Sequence, residues 1–291
     1  MKKAFHPFFL GSVFLTFFLL AACSSSDKTS DTTGGGANTG GAPQTNNNNP
    51  NNSSPQGNTP SASGGVVNRV EKAGTISYKI YLQQDANGTN RKGLILLGSG
   101  NDENDPTPGS LDDPLENNLA NELAKLGYVA AIVAYRDQPP LVPNDNGKSW
   151  NDNSEMLAAD MSNVANAIIA TYGNGLSRAK TLTGGVSYAS YSLLTNVGFS
   201  RTLADTRGLL AACGATGDYD AKNLKIPIFS LNCSGNPEGD YNGKALIDRI
   251  GDPKIKADSG FFTDPACNSH CGGDVNAWTG KLVERVQFWL P

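Results

Sequence analysis

Histidine is nearly absent. The 291 residues hold only His6 and His270, too few imidazoles for a histidine-built metal site. Clustered positive charge is missing as well. Lys and Arg number 23 against 27 Asp and Glu, for a net charge of −4, and no basic run stands out. That balance argues against nucleic acid as a partner. The long apolar run needed to cross a bilayer is lacking too: residues 8–20 (FFLGSVFLTFFLL) fall short of the roughly 20 residues that a spanning helix takes. Finally, the five cysteines (Cys23, Cys213, Cys233, Cys267, Cys271) contain no C-x2-C pair. Structural zinc sites are commonly built on such pairs, so no metal is expected.

What is present starts at the N-terminus. A positive MKK, the short apolar run and Leu20-Ala21-Ala22-Cys23 before Ser24-Ser25-Ser26 together resemble the lipobox of bacterial lipoproteins. The resemblance implies that residues 1–22 are a signal peptide and that Cys23 carries lipid. The protein would then be extracytoplasmic, tied to a bacterial membrane, with the outer membrane favoured and the domain facing the periplasm or the cell surface. Removal of Lys2 and Lys3 takes the net charge to −6, and loss of His6 leaves His270 as the only imidazole.

Residues 23–64 are Ser, Thr, Asn, Gly and Pro with hardly a large apolar side chain. Such a segment cannot bury enough surface to offset its chain entropy and reads as a tether. Random-coil scaling gives it a reach of about 30–40 Å. Residues 65–291 remain, enough for one large domain with a real core. Four cysteines in an oxidising compartment favour two disulfides among three connectivities.

Within this domain strand-like and helix-like segments alternate. Residues 66–70 and 76–82 (ISYKIYL) read as strands. Residues 93–97 (GLILL), 128–134 (YVAAIVA), 208–213 (GLLAAC) and 226–231 (IPIFSL) are continuous apolar runs of the kind buried on both faces of a parallel sheet. Asp113-Pro114 reads as an N-cap with Pro at N1, opening a helix that ends near Gly127. Leu157, Met161, Val164, Ala165, Ile168, Ile169 and Tyr172 make a helical stripe, as do Trp278, Leu282, Val286 and Trp289. This pattern predicts an α/β fold, a mostly parallel doubly wound sheet with helices on both faces. Function then collects at the carboxyl ends of the strands.

One of those ends is TLTGGVSYASYSLL, residues 181–194. Ser187 has Gly185 two residues before it and Ala189 two after, within a strand that gives way to a helix. A strained strand-to-helix turn requires small residues at both positions. A serine hydroxyl needs a base, and His270 lies in a loop just before the last helix. The acid should follow a strand between the two. Asp240, beyond residues 226–231, is the choice, with Glu238 and Asp218 as rivals and Asp248 a poorer one. Negative charge developing on a substrate carbonyl needs donors. The backbone N–H of Tyr188 is one, and that of Ser99, in Gly98-Ser99-Gly100, is the other.

The order Ser187, Asp240, His270, with the Gly-rich turn upstream, resembles the α/β-hydrolase fold superfamily over about residues 75–291. The resemblance implies about eight strands, a Ser-His-Asp triad, no cofactor, and hydrolysis of an acyl ester. The usual His-Gly before the oxyanion loop is Leu97-Gly98 here. Cys213 and Cys233 end successive strands and Cys267 and Cys271 bracket His270. The local pairs are therefore slightly favoured, with Cys233–Cys271 as the alternative. The segments 101–112 and 137–153 are the only large insertions. They are polar, with Trp150 their only large aromatic, which suits a small or carbohydrate-linked ester better than a long-chain lipid. A peptidase of the same fold, or a binding protein without turnover, are the rival readings.

Overall fold

The computed structural model of the chain describes residues 65–84, 91–101, 108–198, 203, 205–214, 221–235 and 243–291. The expected signal peptide, the tether and Cys23 lie outside these residues.

The elements follow the order β1 (Val66–Ala73), β2 (Ile76–Gln83), β3 (Leu94–Gly98), α1 (Pro114–Lys125), β4 (Val129–Ala134), α2 (Lys148–Tyr172), β5 (Thr181–Val186), α3 (Tyr188–Gly198), β6 (Gly208–Ala212), β7 (Ile228–Cys233), α4 (Gly243–Asp248), α5 (Pro253–Asp258), β8 (Gly260–Asp264) and α6 (Val275–Trp289). Eight strands form one sheet in the order β1-β2-β4-β3-β5-β6-β7-β8. β1 and β2 form a hairpin across Gly74 and Thr75, with Gly74 at φ +63, as a two-residue hairpin loop requires. β2 also runs antiparallel to β4, and every later pairing is parallel. This is the α/β architecture expected from the sequence, doubly wound with helices on both faces.

The period-2 geometry of a strand divides the apolar residues between two cores. Leu94 and Leu96 of β3, with Val129, Ala131 and Val133 of β4, pack under α2 and α3, while Ile95 and Leu97, with Ala130 and Ile132, pack under α1 and α6. Strands β3, β4, β6 and β7 are buried along nearly their whole length, which explains their continuous apolar runs. The alternation of β2 reflects its place near the edge, where Ser77 and Lys79 are only half-buried.

Two local readings change. Asp113 occupies the N-cap of α1 with Pro114 after it, but its side chain makes no capping bond. Helix α2 starts at Lys148, well inside the segment expected to be a polar insertion. Its start is set by Asp145, whose carboxylate accepts the N–H groups of Gly147 (2.9 Å) and Ser149 (2.6 Å), with Asn144, Asn146 and Gly147 all at positive φ. Trp150 thus belongs to a helix. Its indole N–H donates to Thr195 Oγ1 of α3 at 2.8 Å, and its ring meets the Tyr188 ring edge-on at 5.4 Å. Among the described residues no helix is long and apolar enough to cross a membrane.

Candidate active site

The carboxyl ends of β3, β5 and β6 converge on Ser187. Its φ is +50, a left-handed conformation that costs a non-glycine residue on the order of 1–3 kcal/mol and is held only by its surroundings. Two bonds hold it. The Ser187 N–H donates to the Ala212 carbonyl of β6 at 2.9 Å, and the Ser187 carbonyl accepts from Tyr191 N–H at 3.0 Å, opening α3.

Small residues then let the turn close. A Cβ on Gly185 would lie 2.5 Å from Ser190 N and 2.6 Å from the carbonyl carbon of Ala189, both backbone atoms. A Cβ on Gly98 would stand 3.0 Å from the Ala189 Cβ, and one on Gly214 2.8 Å from the Ser187 carbonyl oxygen. The small side chain of Ala189 therefore fits a crowded spot. Gly100 brings the oxyanion-loop candidate against the serine itself, since a Cβ there would be 3.1 Å from Ser187 Cβ.

His270 reaches Ser187 from the loop between β8 and α6. Its Nε2 lies 2.8 Å from Ser187 Oγ. That is within hydrogen-bond reach and is the separation general-base catalysis needs. Asp240, Glu238 and Asp218 lie outside the described residues. Asp248 is the last residue of α4, where its carboxylate pairs with Lys244 at 2.5 Å and with Lys256 at 4.0 Å. Tyr188 is the first residue of α3, so its N–H stands at the helix N-terminus beside Ser187. Ser99 is fully buried. Its hydroxyl donates to the Ser110 carbonyl at 3.1 Å and its own carbonyl accepts from the Tyr135 hydroxyl at 2.9 Å.

All four cysteines of the domain are in disulfides, but neither favoured local pair nor the Cys233–Cys271 alternative forms. Cys213 pairs with Cys271 and Cys233 with Cys267. The reason is spatial. The loop carrying His270 passes over the carboxyl ends of both β6 and β7, so each strand-end cysteine meets a loop cysteine across a Cα separation of 5.4 or 4.8 Å. Backbone bonds add to this seam: Gly235 N–H donates to the Cys267 carbonyl at 3.0 Å and Ser234 N–H to the Asp264 carbonyl at 2.9 Å. The Asp264 carboxylate then accepts Trp278 Nε1–H of α6 at 2.7 Å. The loop carrying His270 is tied to β6, β7 and α6, and the residue next to His270 is itself cross-linked.

Three further residues belong to the site's surroundings and escaped the sequence reading. Tyr135 follows β4 directly, at a strand end where function is expected, yet nothing in its neighbours marks it. Gly100 enters the sequence reading only as a member of the Gly98-Ser99-Gly100 turn, with Ser99 as the expected donor. Glu116 sits on the first turn of α1, a position usually solvated. Here it is 3% exposed and lines a small cavity beneath the turn with Gly98, Gly185, Val186 and Ala212. Burial pushes its carboxyl up to about 8, and Oε1 has no hydrogen-bond partner among the described residues. Also among the described residues, no three His, Cys, Asp or Glu side chains cluster as a metal site would need.

With the geometry established, comparison with known proteins bears on the fold. No protein-family model matches the sequence, and no curated protein does. Solved structures do. A lidless α/β serine hydrolase from Xanthomonas campestris superposes with a TM-score of 0.52 at 14% identity, covering 78% of this chain and 96% of that one. The fold is that of the α/β-hydrolases. Brefeldin A esterase, described as a bacterial homologue of human hormone-sensitive lipase, gives 0.50 at 14% identity over 80% of this chain and 81% of its own. An arylesterase gives 0.51 at 11% identity over 79% and 87%. In this fold's terms Ser187 stands at the tip of the central strand and His270 after the last one.

Two outcomes test this geometry. Peptide mapping without reduction should recover Cys213 linked to Cys271 and Cys233 linked to Cys267; Cys213–Cys233 with Cys267–Cys271 would contradict the loop placement. Glu116 has a titration signature. The native state keeps its proton where the unfolded chain, titrating near 4.5, has lost it. Its stabilising contribution is full below about pH 4.5 and is lost as pH rises through about 8. Urea unfolding of wild type and Glu116→Gln at pH 5 and pH 8 should show the variant gaining on wild type by on the order of 3–5 kcal/mol over that span. Parallel pH dependence in the two proteins would show that Glu116 is not buried as described.

Proposed function

We propose that the protein is an extracytoplasmic serine hydrolase, lipid-anchored at Cys23, that cleaves acyl esters through an acyl-enzyme on Ser187. The observation that carries the reading is the 2.8 Å approach of His270 Nε2 to Ser187 Oγ at the tip of a left-handed strand-to-helix turn. The chain holds no other imidazole beyond His6.

In the proposed reaction the Ser187 hydroxyl donates to neutral Nε2. As Oγ attacks the ester carbonyl carbon, the proton passes to His270, and the carbonyl oxygen takes up the negative charge. The N–H groups of Tyr188 and of the Ser99 segment are the proposed donors to that oxygen, where preorganised dipoles stabilise charge without reorganising. Collapse of the tetrahedral intermediate breaks the bond to the alcohol, which leaves with the proton from Nε2. Water then attacks the acyl-enzyme, giving its proton to His270, and the acid departs as Ser187 recovers its own. Asp240, beyond β7, is the proposed carboxylate that receives Nδ1–H and fixes the tautomer. The Cys213–Cys271 bridge supports this role for His270 by restraining the next residue.

The substrate reading is a short-chain or carbohydrate-linked ester. With Trp150 drawn into the contact between α2 and α3, the segment 137–147 holds no aromatic side chain, which supports the reading of a small ester. The tether would let the domain work in solution some 30–40 Å from its anchor by random-coil scaling.

A fluorophosphonate probe should label wild type at Ser187 and leave Ser187→Ala unlabelled. Turnover of p-nitrophenyl esters should fall on the order of 10⁴–10⁶-fold in the variant and should favour acetate and butyrate over long acyl chains in wild type. Equal labelling of the two proteins would remove Ser187 as nucleophile.

A further inference from the structure

The approach of Gly100 to the nucleophile leaves open what holds that loop in place. Residues 99–101 follow β3 and leave the sheet, so the strand ladder no longer fixes their peptide planes. One of those planes has a specific anchor. Tyr135, the residue after β4, donates its hydroxyl to the Ser99 carbonyl at 2.9 Å. The carbonyl of Ser99 and the N–H of Gly100 belong to one planar trans peptide and point in opposite directions. A bond that fixes the carbonyl therefore fixes the N–H, on the side away from Tyr135. Gly100 is the residue whose Cα stands against Ser187, with a hypothetical Cβ 3.7 Å from Oγ.

Tyr135 is itself held. It is fully buried, and its ring lies at 25° to the Tyr188 ring with centroids 6.5 Å apart. Tyr188 supplies the other expected donor. Gly109, returning from the segment after Asn101, donates its N–H to the Tyr135 carbonyl at 3.0 Å and passes so close that a Cβ there would lie 2.5 Å from the ring. Burial raises the phenol well above its ordinary value, so the hydroxyl remains a donor at any pH where the protein works.

We propose that Tyr135 is a positioning residue for the reaction: by holding the Ser99 carbonyl it aims the Gly100 N–H at the site where the substrate oxyanion forms. The role rests on the hydrolase reading above. It also moves the expected donor one residue along the chain, from Ser99 to Gly100. Such a donor acts mainly in the transition state, because the negative charge it meets is absent from the bound ester.

The test is steady-state kinetics on p-nitrophenyl acetate with wild type, Tyr135→Phe, Gly109→Ala and Tyr78→Phe, together with inhibition by phenylboronic acid and thermal unfolding of each. Tyr135→Phe keeps the ring and removes the bond. The expected result is a fall in kcat of about 10–100-fold with KM within about 3-fold, somewhat less than the 10²–10³-fold cost of deleting a donor outright. Phenylboronate, which forms a tetrahedral adduct, should weaken in step with kcat. Gly109→Ala keeps the hydroxyl but displaces the ring and should reproduce the same kcat loss. Tyr78→Phe is the control. It deletes the hydrogen bond of another buried tyrosine, to the partly exposed Glu71 at 2.7 Å in the β1–β2 hairpin, and should lower the melting temperature while leaving kcat unchanged.

A wild-type kcat in Tyr135→Phe would overturn the proposal. A rise in KM at constant kcat would overturn it too, since that marks a ground-state contact. An equal kcat loss in Tyr78→Phe would do the same, because it would reduce the effect to lost stability. A wild type that turns over no ester would remove the hydrolase reading and this role with it, whereas an active wild type with an indifferent Tyr135→Phe removes this role alone.

Discussion

A side chain on Gly185 would collide with the backbone of α3, and much of the site depends on that close approach. Because β5 and α3 can meet there, Ser187 is pushed into a left-handed conformation at the apex of the turn. The surrounding backbone supports that conformation through the Ala212 carbonyl on one side and the Tyr191 N–H on the other. Gly98, Gly214 and Ala189 leave no bulk beneath the turn. A buried protonated carboxyl, Glu116, fills part of the space below. The serine hydroxyl projects toward the loop that carries His270.

That loop has little secondary structure of its own between β8 and α6, so its position must come from cross-links. The two disulfides close 58- and 34-residue separations, and each typically contributes roughly 2–4 kcal/mol by restricting the unfolded chain. Their local effect matters more for the chemistry. Cys271 is the neighbour of His270, and its bridge runs to Cys213 at the end of the strand whose Ala212 carbonyl holds Ser187. Serine and histidine are thus referred to the same strand, β6.

Much of the fold was legible in the sequence. Continuous apolar runs marked the buried strands because a strand covered on both faces has no polar side to show. Ser187 and His270 could be paired across 83 positions because the fold brings the central and last strand ends together and His6 is the one other imidazole in the sequence. The start of α2 was not legible: Asn-Asp-Asn-Gly reads as a turn, and only the Asp145 bonds reveal it as a helix start. The disulfide pairing differs because pairs local in sequence were slightly favoured, whereas the loop carrying His270 crosses β6 and β7 in space. Tyr135 and Glu116 could not be singled out, since a tyrosine after a strand and a glutamate in a first helical turn are both ordinary until their burial is known.

The central claim is that Ser187 forms a covalent acyl intermediate. Its most direct test is to mix the protein with p-nitrophenyl acetate, quench with acid within the first turnover, digest, and locate the acetyl group by mass spectrometry. Acetyl is expected on Ser187, within the tryptic peptide of residues 181–201, released again when the protein is left at neutral pH before the quench. Acetyl on another residue, or ester turnover with no adduct trapped at Ser187, would contradict it.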